Sequence, residues 1–158
     1  MFKSPSHLPQ DARGRIAAAL NANLADGLDL QLQIKVAHWN IKGPRFPGLH
    51  VLFDTFAAGL VVHNDTIAER AATLGGKAYG TARHVAKHSR LAEYPQETVR
   101  DVDHAALVAD RIESYLSGVQ ESRAVAEEHK DADTVDALTQ IVREFEKHAW
   151  MLRASLEG

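Results

Sequence analysis

A long connection in the middle of the chain constrains its fold more than any other feature. Apolar residues at helical spacing predict a second helix over about 48–74, which Gly75 and Gly76 end, and a third helix with Pro95 in its first turn. About 20 residues separate these two helices, whereas neighbouring antiparallel helices are usually joined by about 2–8 residues. At about 3.3 Å per residue, this segment can span the roughly 40 Å length of the second helix. The connection therefore predicts a crossover to the end of the bundle at which the second helix starts; an up-down bundle with an excursion here is the alternative.

The rest of the chain predicts two further long helices and no strand. The first covers about 9–39 and is followed by the turn "NIKGPRFPG"; a short helix is expected around 82–89, inside the connection. The third long helix is broken near "KDADT", and the fourth opens with Asp133 as its N-cap. Four helices with one long crossover have the ferritin-like connectivity. We therefore predict an all-α, ferritin-like four-helix bundle, with residues 1–8 as a short N-terminal extension and residues 9–158 as one domain.

The composition excludes several classes of function. The 158 residues are 45% hydrophobic and 25% charged, as in a soluble globular protein, and the formal charge of −3 gives no overall attraction to nucleic acid or an anionic membrane. The chain has no cysteine, which excludes disulfides, thiolate catalysis and cysteine-ligated metal sites. The N-terminus lacks a secretory signal pattern, and we see no run of about 18 apolar residues able to span a bilayer. We therefore expect a cytoplasmic protein, with association with the nucleoid as a further option.

Four potential metal ligands lie on the second predicted helix. His50 and Asp54 are four residues apart, as are Asp65 and Glu69, so each pair shares one face of the helix. The offset between the pairs corresponds to about four turns plus about 60°, so both pairs face roughly the same side. Along the helix axis, however, they are about 22 Å apart, whereas metal–ligand bonds are about 2.0–2.6 Å long. One straight helix cannot bring both pairs to one metal ion.

Two copies of the chain can bring the pairs together. If the helix packs antiparallel against its copy across a twofold axis, the first pair of one subunit meets the second pair of the other, and two identical sites form about 20 Å apart. His38 ends the apolar stripe of the first helix, so it can approach His50. Two imidazoles and up to three carboxylates make a ligand set suited to Fe(II). A solvated acidic face with structural histidines is the alternative interpretation, and the spacing alone does not name the chemistry.

The complete pattern is similar to that of a known family. The spacing His38-x11-His50-x3-Asp54-x10-Asp65-x3-Glu69 and the blocks "AHWNIKG", "LHVLFD" and "DTIAERAATLGG" resemble the ferroxidase signature of the Dps family, the dodecameric mini-ferritins named as DNA-binding proteins from starved cells. None of the five ligand positions is substituted. The resemblance extends to "YP" before the third helix and to "DADTVDALT" at the fourth, and so covers most of the chain.

The resemblance implies a ferritin-like subunit, twelve of which assemble into a hollow shell built on twofold dimers. Intersubunit di-iron sites would oxidise Fe(II), in this family typically with hydrogen peroxide in preference to dioxygen, and ferric mineral would be stored inside. His38, His50 and Asp54 would come from one subunit, and Asp65 and Glu69 from its mate. Glu69 would be the firmest ligand and Asp54 the outer carboxylate. The implied function is an iron-storing ferroxidase that protects against oxidative damage.

The resemblance also assigns roles to residues around the site. Trp39, beside His38, could intercept stray oxidising equivalents, or be an aromatic residue packed at a subunit boundary. Lys35, one helical turn earlier, could pair with a site carboxylate when iron is absent, or extend over apolar surface towards solvent. A cluster of acids falls where the family has its threefold pores and could concentrate cations there, although helix capping and solubility explain some of them equally well. These acids are Glu127, Glu128, Asp131, Asp133 and Asp136.

The remaining histidines form no comparable constellation in the sequence. His84 and His88 are four residues apart and could bind a metal, but no carboxylate partner is evident, so surface roles are favoured. His63 points about 200° around the helix from Asp65, away from the ligand face. No site is assigned to His7, His104, His129 or His148.

Two rival functions are weaker. A DNA-compacting role with secondary iron chemistry would require clustered basic charge, yet Lys3 is the one basic residue in the first ten, and the chain ends "RASLEG". We therefore expect weak or no DNA binding. In a non-catalytic bundle, the polar residues would only specify the register of a dimer. An intrasubunit ferritin site is disfavoured because Glu144 lies four residues before His148, whereas that site requires Glu-x-x-His pairs.

Overall fold

The computed structural model describes residues 1–157, in which there are five α-helices and no strand. The short helix expected around 82–89 is present inside the connection. The helices confirm the predicted all-α class. They are α1 (Gln10–Asn40), α2 (Phe46–Thr73), α3 (Ala82–His88), α4 (Asp101–Glu128) and α5 (Ala132–Leu156).

The connection between α2 and α4 crosses the length of the bundle. A parallel bridge joins Lys42, in the α1–α2 loop, to Arg100, directly before α4. The Lys42 amide donates to the Val99 carbonyl at 2.9 Å, and the Asp101 amide donates to the Lys42 carbonyl at 2.9 Å. The helix α4 therefore starts at the end of the bundle at which α2 starts. This is the predicted crossover, and the up-down alternative is wrong.

Two helices begin at residues other than those expected. The third long helix starts at Asp101, beyond the turn containing Pro95, because the backbone just before it is paired with the α1–α2 loop. The helix α5 is capped by Asp131 and not by Asp133: the Asp131 carboxylate accepts the amide of Thr134 at 3.3 Å. The first correction arises from a contact between elements, which helical periodicity does not contain. The second is local, because two acids only two residues apart were candidates for the cap.

Gly75 and Gly76 end α2, as predicted, and the N-terminal extension packs against this end of the helix. Gly75 has a φ of 85°, a left-handed conformation that favours glycine, and the Gly76 amide donates to the Ala71 carbonyl at 3.0 Å. The Phe2 amide donates to the Gly75 carbonyl at 2.7 Å, and the Ser4 hydroxyl donates to the Thr73 carbonyl at 2.6 Å. Residues 1–8 therefore lie against the end of α2.

A buried ion pair anchors the crossover to α1. The Asp26 carboxylate is almost fully buried and accepts the Arg90 backbone amide at 2.7 Å and the Arg90 guanidinium at 2.6 and 2.9 Å. The guanidinium also donates to Asn23 at 3.0 Å. A buried carboxylate needs such partners because desolvation of an unpaired charge is costly. Arg90 thus fixes the segment between α3 and α4 onto the bundle.

The helix α2 has two apolar faces. Phe53 and Phe56 are fully buried in the bundle, and each contributes roughly 1.5–3 kcal/mol through burial. On the other face, the Val51 and Val62 side chains are 64% and 65% exposed. By length and composition alone, α2 is long and apolar enough to cross a membrane, although the sequence analysis found no such segment. In its most apolar 18-residue window, 28% is buried within one subunit. The outer face of α2 is apolar surface without a partner inside one subunit.

Candidate metal centre

The two histidines expected to start the site face each other across α1 and α2. The rings of His38 and His50 are stacked, with centroids 3.7 Å apart and planes 20° from parallel. The Nδ1 atom of His38 lies 2.8 Å from the His50 carbonyl oxygen, and the Nδ1 atom of His50 lies 2.9 Å from the His38 carbonyl oxygen. A carbonyl oxygen only accepts, so each Nδ1 carries a proton, and in the neutral imidazole each Nε2 keeps its lone pair. Both rings are in the tautomer that binds a metal through Nε2.

Asp54 lies one turn beyond His50 and is held by a lysine. The Lys35 ammonium donates to the Asp54 carboxylate at 2.7 Å, which is the pairing that the sequence offered as one of two options for this lysine. This hydrogen bond, and then the lysine charge, lower the pKa of the Asp54 carboxyl below its usual range. The Lys35 ammonium also lies 5.8 Å from the ring centre of Trp39, which is 66% exposed. A metal cation bound to Asp54 would therefore compete with the Lys35 ammonium for the carboxylate.

Asp65 and Glu69 lie on the same helix but far from the histidines. Both side chains are exposed, and the helix continues without a break between Asp54 and Asp65. Over residues 1–157, no three His, Asp or Glu side chains come together as donors to one metal ion. One subunit therefore brings His38 and His50 together with Asp54 nearby, and leaves Asp65 and Glu69 apart from them.

The donors on α2 are symmetric about its middle. Positions 50 and 69, and positions 54 and 65, are equidistant from the centre of Phe46–Thr73. In an antiparallel pair of such helices crossing at their centres, His50 of one chain is opposite Glu69 of the other. Apart from Thr55 and Thr66, the exposed residues of α2 between the donors are apolar or small and follow helical spacing. They are Val51, Ala58, Val61 and Val62.

Comparison with known proteins identifies the family. The ferritin-like domain family matches residues 17–158. A DNA protection during starvation protein of Agrobacterium fabrum is 36% identical over 155 residues, covering 98% of this chain and 96% of the relative. The chain belongs to the Dps family of ferritin-like proteins. The family resemblance stated from the sequence is thereby confirmed.

Solved Dps structures have the same fold. DpsC from Streptomyces coelicolor superposes with a TM-score of 0.93 at 31% identity, covering 100% of this chain and 95% of that one. A Dps protein from Vibrio cholerae, described as a member of a broad superfamily of ferritin-like diiron-carboxylate proteins, superposes with a TM-score of 0.92 at 25% identity, covering 99% of this chain and 98% of that one. The predicted ferritin-like bundle is therefore confirmed.

The acids proposed for a pore differ in exposure in this Dps chain. Asp131 is buried, and its carboxylate accepts the Arg70 guanidinium at 2.6 Å and the Thr134 hydroxyl at 2.5 Å. Glu128 is exposed and pairs with Arg15 at 3.2 Å. Asp131 thus caps the start of α5 and is not exposed, whereas the side chains of the other four acids are exposed. These four are Glu127, Glu128, Asp133 and Asp136.

A second polar cluster, between α2 and α5, was not expected from the sequence. His63 Nε2 lies 2.8 Å from the Glu144 carboxylate, on the side of α2 away from the exposed donors. His148, one turn after Glu144, is buried and stacks on Phe56 with ring centres 3.9 Å apart. Burial lowers the pKa of the His148 imidazole. The spacing of Glu144 and His148 was visible in the sequence, but their contact with α2 was not.

Phe46 is a neighbour of the site that sequence reasoning missed. Its ring lies 4.8 Å from the ring of His50 and is 41% exposed. The two residues are four apart at the start of α2, so the shared helix face was the available signal. Phe46 covers one side of the stacked histidines.

Proposed function

We propose that this Dps family member is a ferroxidase and iron-storage protein. Fe(II) would be oxidised at sites shared by two subunits, and the ferric product would be kept as mineral in a hollow shell of twelve subunits. The observation that carries the proposal is the symmetry of the α2 donors about the helix centre, together with their exposure. An antiparallel α2–α2 contact completes two equivalent sites at once.

The donor set fits ferrous iron. His38 and His50 offer Nε2 lone pairs, and their Nδ1 bonds to backbone carbonyls hold the rings in place. Asp54 adds a carboxylate from the same subunit once iron displaces the Lys35 ammonium. Asp65 and Glu69 of the partner subunit would supply the remaining carboxylates, Glu69 as the firmest ligand. Imidazole with carboxylate is a donor mixture that suits iron, and the carboxylates stabilise the ferric product.

We propose hydrogen peroxide as the oxidant, as the family resemblance implies. Two ferrous ions held side by side each give one electron to hydrogen peroxide, whose O–O bond breaks, and both oxygens leave as water or hydroxide. The ferric ions hydrolyse in water and release protons as mineral forms. Because both electrons are delivered together, no hydroxyl radical is released. A paired-iron site is also supported by the similarity of this chain to the Vibrio cholerae Dps protein, which is described as belonging among the diiron-carboxylate proteins.

Mixed assemblies test whether the site is shared. The variants His50→Ala and Glu69→Ala remove donors that the proposal assigns to opposite sides of one site. Each variant alone should bind less iron under anaerobic conditions and lose peroxide-driven oxidation. Dissociation and reassembly of an equal mixture should restore about a quarter of the sites, because half of the random dimers are mixed and each mixed dimer has one intact site.

Two controls define the outcome. The two variants mixed without subunit exchange should stay inactive. Anaerobic Fe(II) titration of the wild-type assembly should reach saturation near two irons per site. If the exchanged mixture recovers no oxidation although its subunits have reassembled, the site is contained in one chain and the proposal is wrong.

A further inference from the structure

The short helix α3 carries a second pair of stacked histidines. His84 and His88 are one helical turn apart, with ring centres 3.9 Å apart and planes 18° from parallel. The His84 ring is partly exposed and the His88 ring is exposed. Tyr79 stacks on His84 at 5.3 Å. The two imidazoles thus stack on each other at the protein surface.

Each imidazole of this pair has a nitrogen available to a ligand. The Nδ1 atom of His88 lies 2.9 Å from the His84 carbonyl oxygen, so Nδ1 carries the proton and Nε2 keeps its lone pair. Within residues 1–157, none of the hydrogen bonds involves a ring nitrogen of His84. His88 in this respect parallels His38 and His50, in which Nδ1 donors to backbone carbonyls leave Nε2 free. The pair has the form of a bidentate metal chelate.

We propose that His84 and His88 bind a divalent transition metal of the borderline class, with Cu²⁺ favoured over Ni²⁺ and Zn²⁺. Two imidazole nitrogens bound to one such ion at about 2.0–2.1 Å lie roughly 3.0–3.4 Å apart, which small rotations of stacked rings provide. Imidazole donors favour these metals, and Cu²⁺ is the strongest in the Irving–Williams order. Water would fill the other coordination positions.

The surroundings of the pair disfavour hard cations. The chain has no Asp or Glu between Glu69 and Glu93, and Lys87 lies beside the pair. The Asp29 carboxylate of α1 comes close to this segment but already accepts the Ser89 hydroxyl at 2.6 Å. Mg²⁺ and Ca²⁺ require oxygen donors, so they would not bind here. This distinguishes the α3 site from the proposed iron site, with its carboxylates, and the inference does not depend on the proposed function.

Metal binding should also stabilise α3. A seven-residue helix is marginal by itself, because its few hydrogen bonds barely offset nucleation. A metal bridging two successive turns would oppose unfolding of the helix. Hydrogen exchange of residues 82–88 should therefore slow when Cu²⁺ is added and stay unchanged with Mg²⁺.

Copper binding in the assembled protein tests the inference. The background variant carries His50→Ala and Glu69→Ala, so that copper at the proposed iron site does not contribute. We expect one Cu²⁺ per chain by calorimetry, with nitrogen couplings from two imidazoles in the electron paramagnetic resonance spectrum. His84→Asn or His88→Asn should weaken binding at least about tenfold, because loss of one donor ends chelation. Because both substituted side chains are at least partly exposed, neither variant should disturb the fold. Circular dichroism checks that the helical content is unchanged.

His7→Asn is the matched control, since His7 is exposed and lies outside α3. It should leave the affinity and the spectrum unchanged. Lys87→Gln should strengthen copper binding by removing a nearby positive charge. The inference is overturned if the α3 histidine variants keep the affinity and the two-nitrogen spectrum of the background protein.

Discussion

At the scale of single residues, the candidate iron site is ordered by the backbone. His38 and His50 each donate through Nδ1 to the carbonyl of the other residue, at 2.8 and 2.9 Å. In many metal sites a carboxylate accepts the hydrogen bond from the ligating histidine. Here the acceptors are main-chain carbonyls of the two packed helices α1 and α2. The tautomer and the ring direction are therefore fixed before metal arrives, and they depend on the α1–α2 contact rather than on a further side chain.

Lys35 should compete with metal for Asp54. Replacement by glutamine removes the ammonium that lies 2.7 Å from the Asp54 carboxylate. We expect Lys35→Gln to bind Fe(II) about two- to fivefold more tightly in anaerobic titrations, as an exposed ion pair is weak and no longer has to be broken. Lys3→Gln, in the N-terminal extension, is the control and should have no effect. Weaker binding in Lys35→Gln would instead mean that the lysine positions the carboxylate.

Buried His148 should make the protein less stable in acid. Burial lowers the pKa of its imidazole in the folded state, whereas in the unfolded chain the group binds its proton near pH 6.5. Below about pH 6.5 the unfolded state therefore binds more protons, and the free energy of unfolding falls as pH decreases towards the folded-state pKa. His148→Phe keeps an aromatic ring beside Phe56 and removes the titration. Denaturant unfolding at pH 7.5 and 5.5 should show a smaller pH-dependent loss in the variant, and an equal loss would contradict the assignment.

At the scale of helices, what the sequence predicted was local. The apolar period and the breaker residues gave the four long helices, and the length of the connection gave the crossover. The start of α4 was wrong because Lys42 pairs with Arg100, a contact between distant segments. The start of α5 was wrong because Asp131, which also binds Arg70, is the cap in place of Asp133. The spacing on α2 likewise showed which donors share a face, but not that the His38 and His50 rings bond to each other's backbone.

Two glycines in α1 test how helix propensity and packing compete. A Cβ at Gly14 would have no neighbour within 4 Å, whereas a Cβ at Gly27 would overlap Asn64 Oδ1 and lie 3.4 Å from the Tyr115 hydroxyl. Gly14→Ala should stabilise the protein by about 0.5–1 kcal/mol through helix propensity. Gly27→Ala gains the same propensity, but overpacking of about 1–3 kcal/mol should make it destabilising.

Denaturant midpoints of the two alanine variants measure this difference directly. Both substitutions add the same methyl group to the same helix, so each serves as the control for the other. If Gly27→Ala were as stable as Gly14→Ala, then the packing of α1 against Asn64 and Tyr115 would not require glycine at position 27.

At the scale of the whole molecule, charge argues against tight DNA binding. The net charge is −3, and Lys3 is the one basic residue in the first ten. Residues 1–8 also lie against the end of α2, where Phe2 and Ser4 form hydrogen bonds. Affinity for DNA depends on the number of phosphates neutralised, so we expect no retention of plasmid in a gel shift at about 0.15 M salt near pH 7. Tight retention under these conditions would contradict the prediction.

The exposed face of α2 should connect assembly to chemistry. Val62 is 65% exposed in one subunit and lies between Ala58 and Asp65 on this face. In the proposed antiparallel contact it would be buried near the twofold axis, where each substitution acts twice. Val62→Glu would place two unpaired carboxylates in that contact, at a cost of about 3–5 kcal/mol for each buried charge. The subunit itself should stay folded, because the side chain points out of the bundle.

Sedimentation and iron oxidation, measured on the same samples, test this coupling. Val62→Glu should sediment as smaller species than the wild type, keep its helical circular dichroism and lose peroxide-driven Fe(II) oxidation, although all five donors are still present. Val62→Leu, which keeps the face apolar, should retain both assembly and oxidation. Dissociated Val62→Glu subunits that oxidise iron at the wild-type rate would mean that a single chain holds the metal. Loss of oxidation together with dissociation is expected only if each subunit borrows Asp65 and Glu69 from its neighbour.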